Sequence, residues 1–224
     1  MVAYPGFDSD AYPGDSQIDW LRSQTNLVWC GIYLAPAPSH HDTSWMGKRA
    51  RLAQAGWGLV PIYVGQQVNP PGSLDPSAAT GAADGTQATE LTASEGFANG
   101  TAIYLDLENG PPFQSPQTDY VQAWCAAVAA AAFQPGVYCS HLIADEVATL
   151  VPGAEIWAFK VATTEPHPVA GPNYPTSDPS GSGYADAAIW QLGQNCQITL
   201  ENGQTLMVDL DTATSPDPGA PATA

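Results

Sequence analysis

The clearest alternation of apolar and polar residues lies in the middle of the chain, at residues 101–110, which read TAIYLDLENG. Apolar side chains alternate there with Tyr104, Asp106 and Glu108. A period of two residues predicts a β-strand, because successive side chains of a strand point to opposite faces. We expect one apolar face, with the carboxyl groups of Asp106 and Glu108 together on the other. For this stretch alone, the alternative is the solvated edge of a half-exposed strand.

Apolar runs and short alternations predict seven further strands, at residues 6–10, 27–34, 59–64, 137–140, 155–161, 187–192 and 206–211. Pro61 lies inside one of them and predicts a bulge or an irregularity there. Helical patterns predict a short turn at 18–21 and helices at 45–55, 80–98, 115–133 and 142–150. Ser44 is the expected N-cap of the 45–55 helix. Residues 193–203 predict a hairpin rather than a helix.

The order of these elements predicts the fold. Strands alternate with helices up to the fifth strand, which favours a parallel sheet, and the strands after it are mostly bare. Eight strands in a chain of 224 residues predict a closed barrel. The fold class is therefore α/β, an irregular TIM-like barrel with helices after the first five strands. Residues 1–213 form this domain, and residues 214–224 are expected to be a disordered tail or a linker stub.

Composition excludes several classes of partner. The chain has 22 acidic and five basic residues, and its net charge of −17 argues against nucleic acid and anionic membranes. No apolar run is long enough to span a membrane, and the N-terminus lacks the basic and apolar regions of a signal peptide. The chain as written is cytoplasmic, or it is secreted or wall-associated by a route that the sequence does not reveal. A polysaccharide partner and a monomeric state are expected.

The four cysteines show neither a CxxC pair nor the clustering of a metal site. Cys30, Cys125 and Cys139 lie in apolar runs, which favours buried free thiols, and a disulfide remains the alternative.

Acidic residues recur where the predicted strands end. Active sites of such barrels lie at the C-terminal ends of the strands. Three predicted strands end in acidic pairs, namely Asp8 with Asp10, Asp106 with Glu108, and Asp209 with Asp211. Because strands one and eight are neighbours in a closed barrel and strand four lies across its mouth, the pairs are expected to face one another. A single Asp is commonly a turn or cap residue, and that alternative stays open for Asp10, Asp19, Asp42 and Asp211.

Such a cluster suits glycoside hydrolysis, which needs one carboxylic acid as proton donor and one carboxylate to stabilise or attack the sugar. The candidate substrate-binding residues near the strand ends are Tyr33, Tyr63, Tyr138, Trp157, Gln191 and Asp10. Each aromatic residue has core filling as its alternative role. The same acids suit a divalent metal for phosphodiester cleavage, with His40 and His41 as further ligands. An adjacent loop pair is more typical of exposed surface, so we assign no metal site and no cofactor.

Several motifs together resemble family 25 glycoside hydrolases, the lysozyme-type muramidases. These are GFDSDAYPGDSQIDW, DLE, GVYCS, IWAF, IWQL and VDLD, in that order. The segments YLAPAPSHHDTSW, GLVPIYVGQQ and GVYCS are even more similar to bacterial glycoside hydrolase-like domains of unknown function, which are associated with cell-wall proteins. The resemblance implies a general acid at Glu108, its partner carboxylate at Asp106, and flanking acids at Asp8 and Asp209.

One segment departs from the muramidase pattern. After strand two, muramidases tend to carry an acidic loop with glycine, whereas this chain has Ala-Pro-Ala-Pro-Ser-His-His at 35–41. Three functions therefore remain: a peptidoglycan-directed glycosidase, a wall-glycan-binding module without turnover, and a metal-dependent hydrolase.

Overall fold

The computed structural model describes residues 2–67 and 74–221. Within them lie nine strands: Tyr4–Asp8 (β1), Trp29–Tyr33 (β2), Gly58–Val64 (β3), Ala102–Leu107 (β4), Gln134–Ser140 (β5), Glu155–Phe159 (β6), His167–Pro168 (β7), Ile189–Thr199 (β8) and Thr205–Ala213 (β9). The same residues form five α-helices: Asp15–Gln24 (α1), Arg49–Gln54 (α2), Ala78–Ser94 (α3), Gln117–Ala130 (α4) and Ala144–Leu150 (α5).

The strands close into a barrel. The sheet order is β6-β5-β4-β3-β2-β1-β9-β8, and a further pairing of β6 with β8 joins its ends. The two residues of β7 pair with β8 outside this ring. A closed eight-stranded α/β barrel, with helices after the first five strands, confirms the predicted fold class.

The last strand runs opposite to the others. β9 is antiparallel to both β1 and β8, because the predicted hairpin joins β8 to β9 and reverses the chain. Asp8 pairs with Asp209, and Gly6 pairs with Asp211. The prediction that Asp209 and Asp211 end a parallel strand is therefore wrong, since both lie within β9.

The alternation at 101–110 separates two layers of the core. Ile103, Leu105 and Leu107 pack in the outer cluster, between the sheet and the helices. Tyr104 faces the barrel interior, where it packs edge-on against Trp157 with ring centroids 5.6 Å apart. All six residues of β4 are buried, which overturns the solvated-edge alternative.

Two local predictions differ from the structure. Ser44 does not cap a helix, because its hydroxyl accepts the backbone N–H of Tyr12 at 2.8 Å, and α2 begins only at Arg49. Pro61 causes no bulge, since its pairing with Ile32 continues the β2–β3 register. Pairing of β3 with β4 begins only at Ile62, so the missing N–H of Pro61 interrupts nothing on that side.

The segment expected to be a disordered tail packs against the barrel as far as Pro221. Asp217 accepts the backbone N–H of Leu59 at 2.7 Å, and Ala102 donates its N–H to the carbonyl of Gly219 at 3.0 Å. These bonds connect it to the starts of β3 and β4. Residues 222–224 of the predicted tail lie outside the described residues.

All four cysteines are buried and free, which confirms the favoured prediction. Among the helices of residues 2–67 and 74–221, none has the length and apolar character needed to cross a membrane.

Close packing of α3 on α4 generates the first prediction. A Cβ at Gly81 would lie 2.3 Å from the backbone oxygen of Tyr120, which cannot move without displacing α4. Alanine ordinarily stabilises a helix interior relative to glycine, yet we expect Gly81→Ala to lower the free energy of unfolding by about 1–3 kcal/mol. Urea unfolding measures this. The control is Thr86→Ala, on the exposed face of α3, which should be neutral or stabilising. A Gly81→Ala protein as stable as wild type would contradict the close packing of α3 on α4.

Candidate active site

A small pit lies at the end of the barrel where β1 and β4 finish. It encloses about 40 Å³ and is lined by Asp8, Tyr33, Ile62, Asp106, Glu108, Tyr138, Trp157, Gln194 and Asp209. The four predicted catalytic acids therefore lie together. Asp106 and Glu108 both reach the pit because they are two residues apart along one strand direction.

Asp8 and Asp209 face each other across two paired strands. Their backbones are direct partners in the β1–β9 ladder, which places the Cβ atoms of such pairs about 4.5–5.5 Å apart. Burial raises the pKa of Asp8, and hydrogen bonds from Tyr33 and Asp211 oppose that rise. The Tyr33 hydroxyl donates to Asp8 Oδ1 at 2.6 Å, so Asp8 has a fixed donor on its carboxylate.

Asp106 and Glu108 differ in their access to water. Asp106 is only 6% exposed, and its Oδ1 has no hydrogen-bond partner among the described residues. Burial, followed by the charges of Glu108, Asp8 and Asp209, holds the pKa of Asp106 well above its usual value. Glu108 is exposed at the rim, and desolvation by the surrounding protein still raises its pKa. The pair thus combines a buried acid with one that substrate can reach.

Gln67 supports the backbone that carries this pair. Its Nε2 donates to the carbonyl of Asp106 at 3.0 Å, and its Oε1 accepts the N–H of Glu108 at 3.4 Å. At the end of β4, the buried amide of Gln67 therefore makes the backbone hydrogen bonds that a neighbouring strand would otherwise make. No local sequence pattern marks Gln67 as a site residue, since its contacts depend on the path of the chain after β3.

A bulge in β8 holds Asp209. Pairing with β9 shifts register between Gly193 and Cys196, and Asn195 takes a left-handed conformation with φ of 54°. The Asn195 N–H donates to Asp209 Oδ1 at 2.7 Å, while Gln191 Nε2 donates to Oδ2 at 2.5 Å. Burial and the charge of Asp8 nevertheless raise the pKa of Asp209 to about 8. The same bulge brings Gln194 into the pit. Gly193, a glycine inside a strand, is the sequence feature that indicates such a bulge.

Asp211 lies beneath the pit. It is 1% exposed, and Trp157 Nε1 donates to its Oδ1 at 3.1 Å. Burial and the charges of Asp8 and Asp209 hold the pKa of Asp211 well above its usual value. The alternative that Asp211 is only a turn or cap residue is wrong, because β9 continues past it inside the barrel.

Four of the six predicted substrate-binding residues lie in or beside the pit. Tyr33, Tyr138 and Trp157 line it. Gln191 is buried next to it, where it accepts the hydroxyl hydrogen of Tyr138 and contacts Asp209.

Tyr63 and Asp10 are not in the pit. Tyr63 points out of the barrel, and its hydroxyl donates to Gln87 on α3 at 2.6 Å. Ile62 occupies the inward position instead, since neighbouring residues of β3 face opposite sides. Asp10 lies exposed beyond the end of β1.

The loop after β2 separates the two predicted histidines. His40 is buried with its ring 5.1 Å from that of Tyr33, and desolvation lowers its pKa, whereas His41 is exposed. The expectation of an exposed pair is therefore wrong for His40. Throughout residues 2–67 and 74–221, no three His, Cys, Asp or Glu side chains are grouped so that they could hold a metal ion. The geometry of the described residues therefore does not support the metal-dependent hydrolase hypothesis.

Comparison with known families gives one extensive match. The family model described as "Rv2525c-like, glycoside hydrolase-like domain" matches residues 20–212, most of the chain. No curated protein sequence matches.

Solved structures share the fold at low sequence identity. An uncharacterized protein of B. stearothermophilus is 18% identical, with a TM-score of 0.66 over 96% of this chain and 97% of that chain. The bacterial lysozyme from Streptomyces coelicolor is 14% identical, with a TM-score of 0.58 over 95% and 92%. The Mycobacterium tuberculosis Tat-secreted protein Rv2525c is 16% identical, with a TM-score of 0.57 over 99% and 100%. Together with the family match, these folds confirm the resemblance predicted from the motifs.

The buried acids predict how stability depends on pH. An Asp whose pKa rises from 3.8 to about 8 on folding binds more protons when folded, so its contribution to stability is lost as pH rises through that interval. We expect the urea midpoint of unfolding to fall between pH 5 and pH 8. Asp209→Asn should flatten this dependence, whereas Glu90→Gln, on an exposed helix face, should leave it unchanged. The raised pKa of Asp209 would be contradicted by a urea midpoint that rises with pH. It would also be contradicted if the midpoint of Asp209→Asn fell with pH as steeply as that of wild type.

The role of Gln67 predicts an asymmetry between two matched substitutions. Gln67→Leu leaves a buried carbonyl and a backbone N–H without partners, and should lower the free energy of unfolding by about 1–3 kcal/mol. Gln122→Leu removes a 3.3 Å bond to the Leu150 carbonyl at an exposed site and should cost much less. Urea unfolding of both proteins makes the comparison. Equal losses would show that the Gln67 contacts do not support β4.

Proposed function

The chain belongs to the Rv2525c-like, glycoside hydrolase-like domain family, and we propose that it hydrolyses glycosidic bonds of bacterial cell-wall peptidoglycan. The observation that carries the proposal is the single pit that gathers Asp8, Asp106, Glu108 and Asp209. Glycoside hydrolysis requires a proton donor and a carboxylate on either side of the scissile bond.

Glu108 is the proposed general acid. Its side chain is exposed at the rim, where the leaving oxygen of a bound glycan can reach it. Desolvation raises the pKa of Glu108, in the direction that favours the protonated form of a proton donor. Asp106 is the proposed partner whose ionised form stabilises positive charge on the sugar. Because burial and its neighbours hold the pKa of Asp106 well above its usual value, this role requires that the positive charge developing on the sugar favours the ionised form. Neighbouring carboxyls oppose joint ionisation, so the cluster keeps a proton donor beside a carboxylate.

Asp8 and Asp209 are the proposed flanking acids. Tyr33 holds Asp8, while Gln191 and the N–H of Asn195 hold Asp209. When ionised, Asp8 and Asp209 contribute negative potential where an oxocarbenium-like state develops, and their hydrogen-bond donors hold them in place during the reaction.

Fold similarity supports the substrate and the location. Two similar structures are described as a lysozyme and as a Tat-secreted protein, both bacterial. We propose that this chain acts outside the cytoplasm, on or near the cell wall, and that it is a monomer.

A second candidate is a wall-glycan-binding module without turnover. The observation that favours it is the size of the pit, because 40 Å³ is far below the roughly 300–1,000 Å³ of typical ligand clefts. Tyr33 contributes to this closure, since it lies between Asp8 and the buried His40.

The proposed catalytic role of Glu108 predicts the products of a digest. Purified protein incubated with insoluble peptidoglycan should release new reducing ends, and Glu108→Gln should reduce that release about 100-fold or more, because the amide cannot donate the proton. Glu90→Gln makes the same charge change on α3 and should act as wild type.

Glu108→Gln protein as active as wild type would refute the proposed mechanism. Sedimentation of wild type with peptidoglycan, without new reducing ends, would instead support the binding module.

A further inference from the structure

The charge of the pit is not balanced by any basic side chain that lines it. Each charged group that acts on the pKa of Asp106 is another carboxyl, of Glu108, Asp8 or Asp209. A buried carboxylate is costly unless a cation or hydrogen-bond donors compensate it. Asp8 and Asp209 have such donors, whereas Asp106 Oδ1 has none among the described residues.

The basic residues of the chain lie elsewhere. Lys48 and Arg51 form salt bridges with Asp15 and Asp19 on the outside of the barrel. None of the five basic residues lines the pit: Arg22, Lys48, Arg49, Arg51 and Lys160. Protonation spares the free protein an uncompensated charge on Asp106, and the ionised form would need a cation supplied by a ligand.

Aromatic side chains form much of the remaining lining. Tyr33, Tyr138 and Trp157 contribute to the walls beside Asp106. Carboxylates combined with aromatic rings are the chemistry by which proteins recognise alkylammonium groups, through charge-assisted hydrogen bonds and cation–π attraction. A metal ion would instead need a set of oxygen or nitrogen ligands, and the described residues group no such set.

The volume of the pit limits what enters it. About 40 Å³ holds on the order of three water molecules, so a single substituent enters rather than a sugar ring. The ring would remain at the rim, beside the exposed Glu108.

We propose that the pit binds the primary ammonium group of an amino sugar that is not N-acetylated, with Asp106 Oδ1 as the principal acceptor. The preferred ligand is then a partly deacetylated wall glycan. This inference rests on the proposed function for the choice of a wall glycan, and not for turnover.

Binding of such a group has a protonic signature. Because the pKa values of Asp106 and Asp209 are raised in the free protein, an incoming ammonium favours their ionised forms and expels protons. A neutral acetylated sugar in the same place would not release them.

The test is calorimetric titration of the full chain with two tetrasaccharides, of glucosamine and of N-acetylglucosamine. Measurements at pH 6.5 in two buffers of different ionisation enthalpy report proton release, and 0.15 M salt screens the acidic surface. We expect the glucosamine tetramer to bind about tenfold more tightly, with proton release. Asp106→Asn should remove most of this preference, whereas Glu90→Gln should retain it.

Equal or tighter binding of the acetylated tetramer would overturn the inference, as would a preference that survives in Asp106→Asn. Calcium chloride alone should give no binding heat, and competition by Ca²⁺ would assign the pit to a metal instead. Parallel digests of acetylated and deacetylated peptidoglycan separate this inference from the proposed function. Glu108-dependent hydrolysis without an amine preference refutes only the inference, and an amine preference without hydrolysis refutes only the proposed activity.

Discussion

The antiparallel pairing of β1 with β9 places Asp8 directly opposite Asp209. Other polar groups of the pit donate hydrogen bonds that offset the repulsion between these two carboxyl groups. Two carboxyl groups brought together inside a barrel oppose each other's ionisation. Tyr33 donates to one, and Gln191 with Asn195 donates to the other. The bulge in β8 lies where the backbone N–H of Asn195 can reach Asp209.

The acids depend on the barrel behind them. Tyr104 and Trp157 fill the interior below the pit, and Trp157 also donates to Asp211. A dry floor of this kind raises the pKa values of the acids above it, because water that would solvate their charge is excluded. The packing of the barrel interior therefore sets the protonation of the acids above it. Glu108, which is exposed, is the acid that substrate can reach.

The sequence predicted those features that depend on local periodicity. Asp106 and Glu108 were placed together because β4 alternates, with apolar residues on its outer face. The outward direction of Tyr63 cannot be predicted locally, because the run LVPIYV is apolar on both faces and does not indicate which face is inside. Gln67 and Asn195 act through loop and bulge geometry, which is set by tertiary contacts rather than by neighbours in the chain. The predicted hairpin implies that β9 runs antiparallel, and this conflicts with the parallel sheet that the alternation of strands and helices favours.

The carboxyl groups of the pit should hold their protons to a higher pH than exposed acids do, because burial raises the pKa of each. The most direct measurement is an NMR pH titration of the side-chain carboxyl carbons, with Asp106→Asn and Asp209→Asn proteins to assign the resonances. We expect the carboxyl resonances of the pit to titrate at higher pH than those of the exposed acids, with a pKa near 8 for Asp209. Titration of all of them close to pH 4, together with the surface carboxylates, would contradict it.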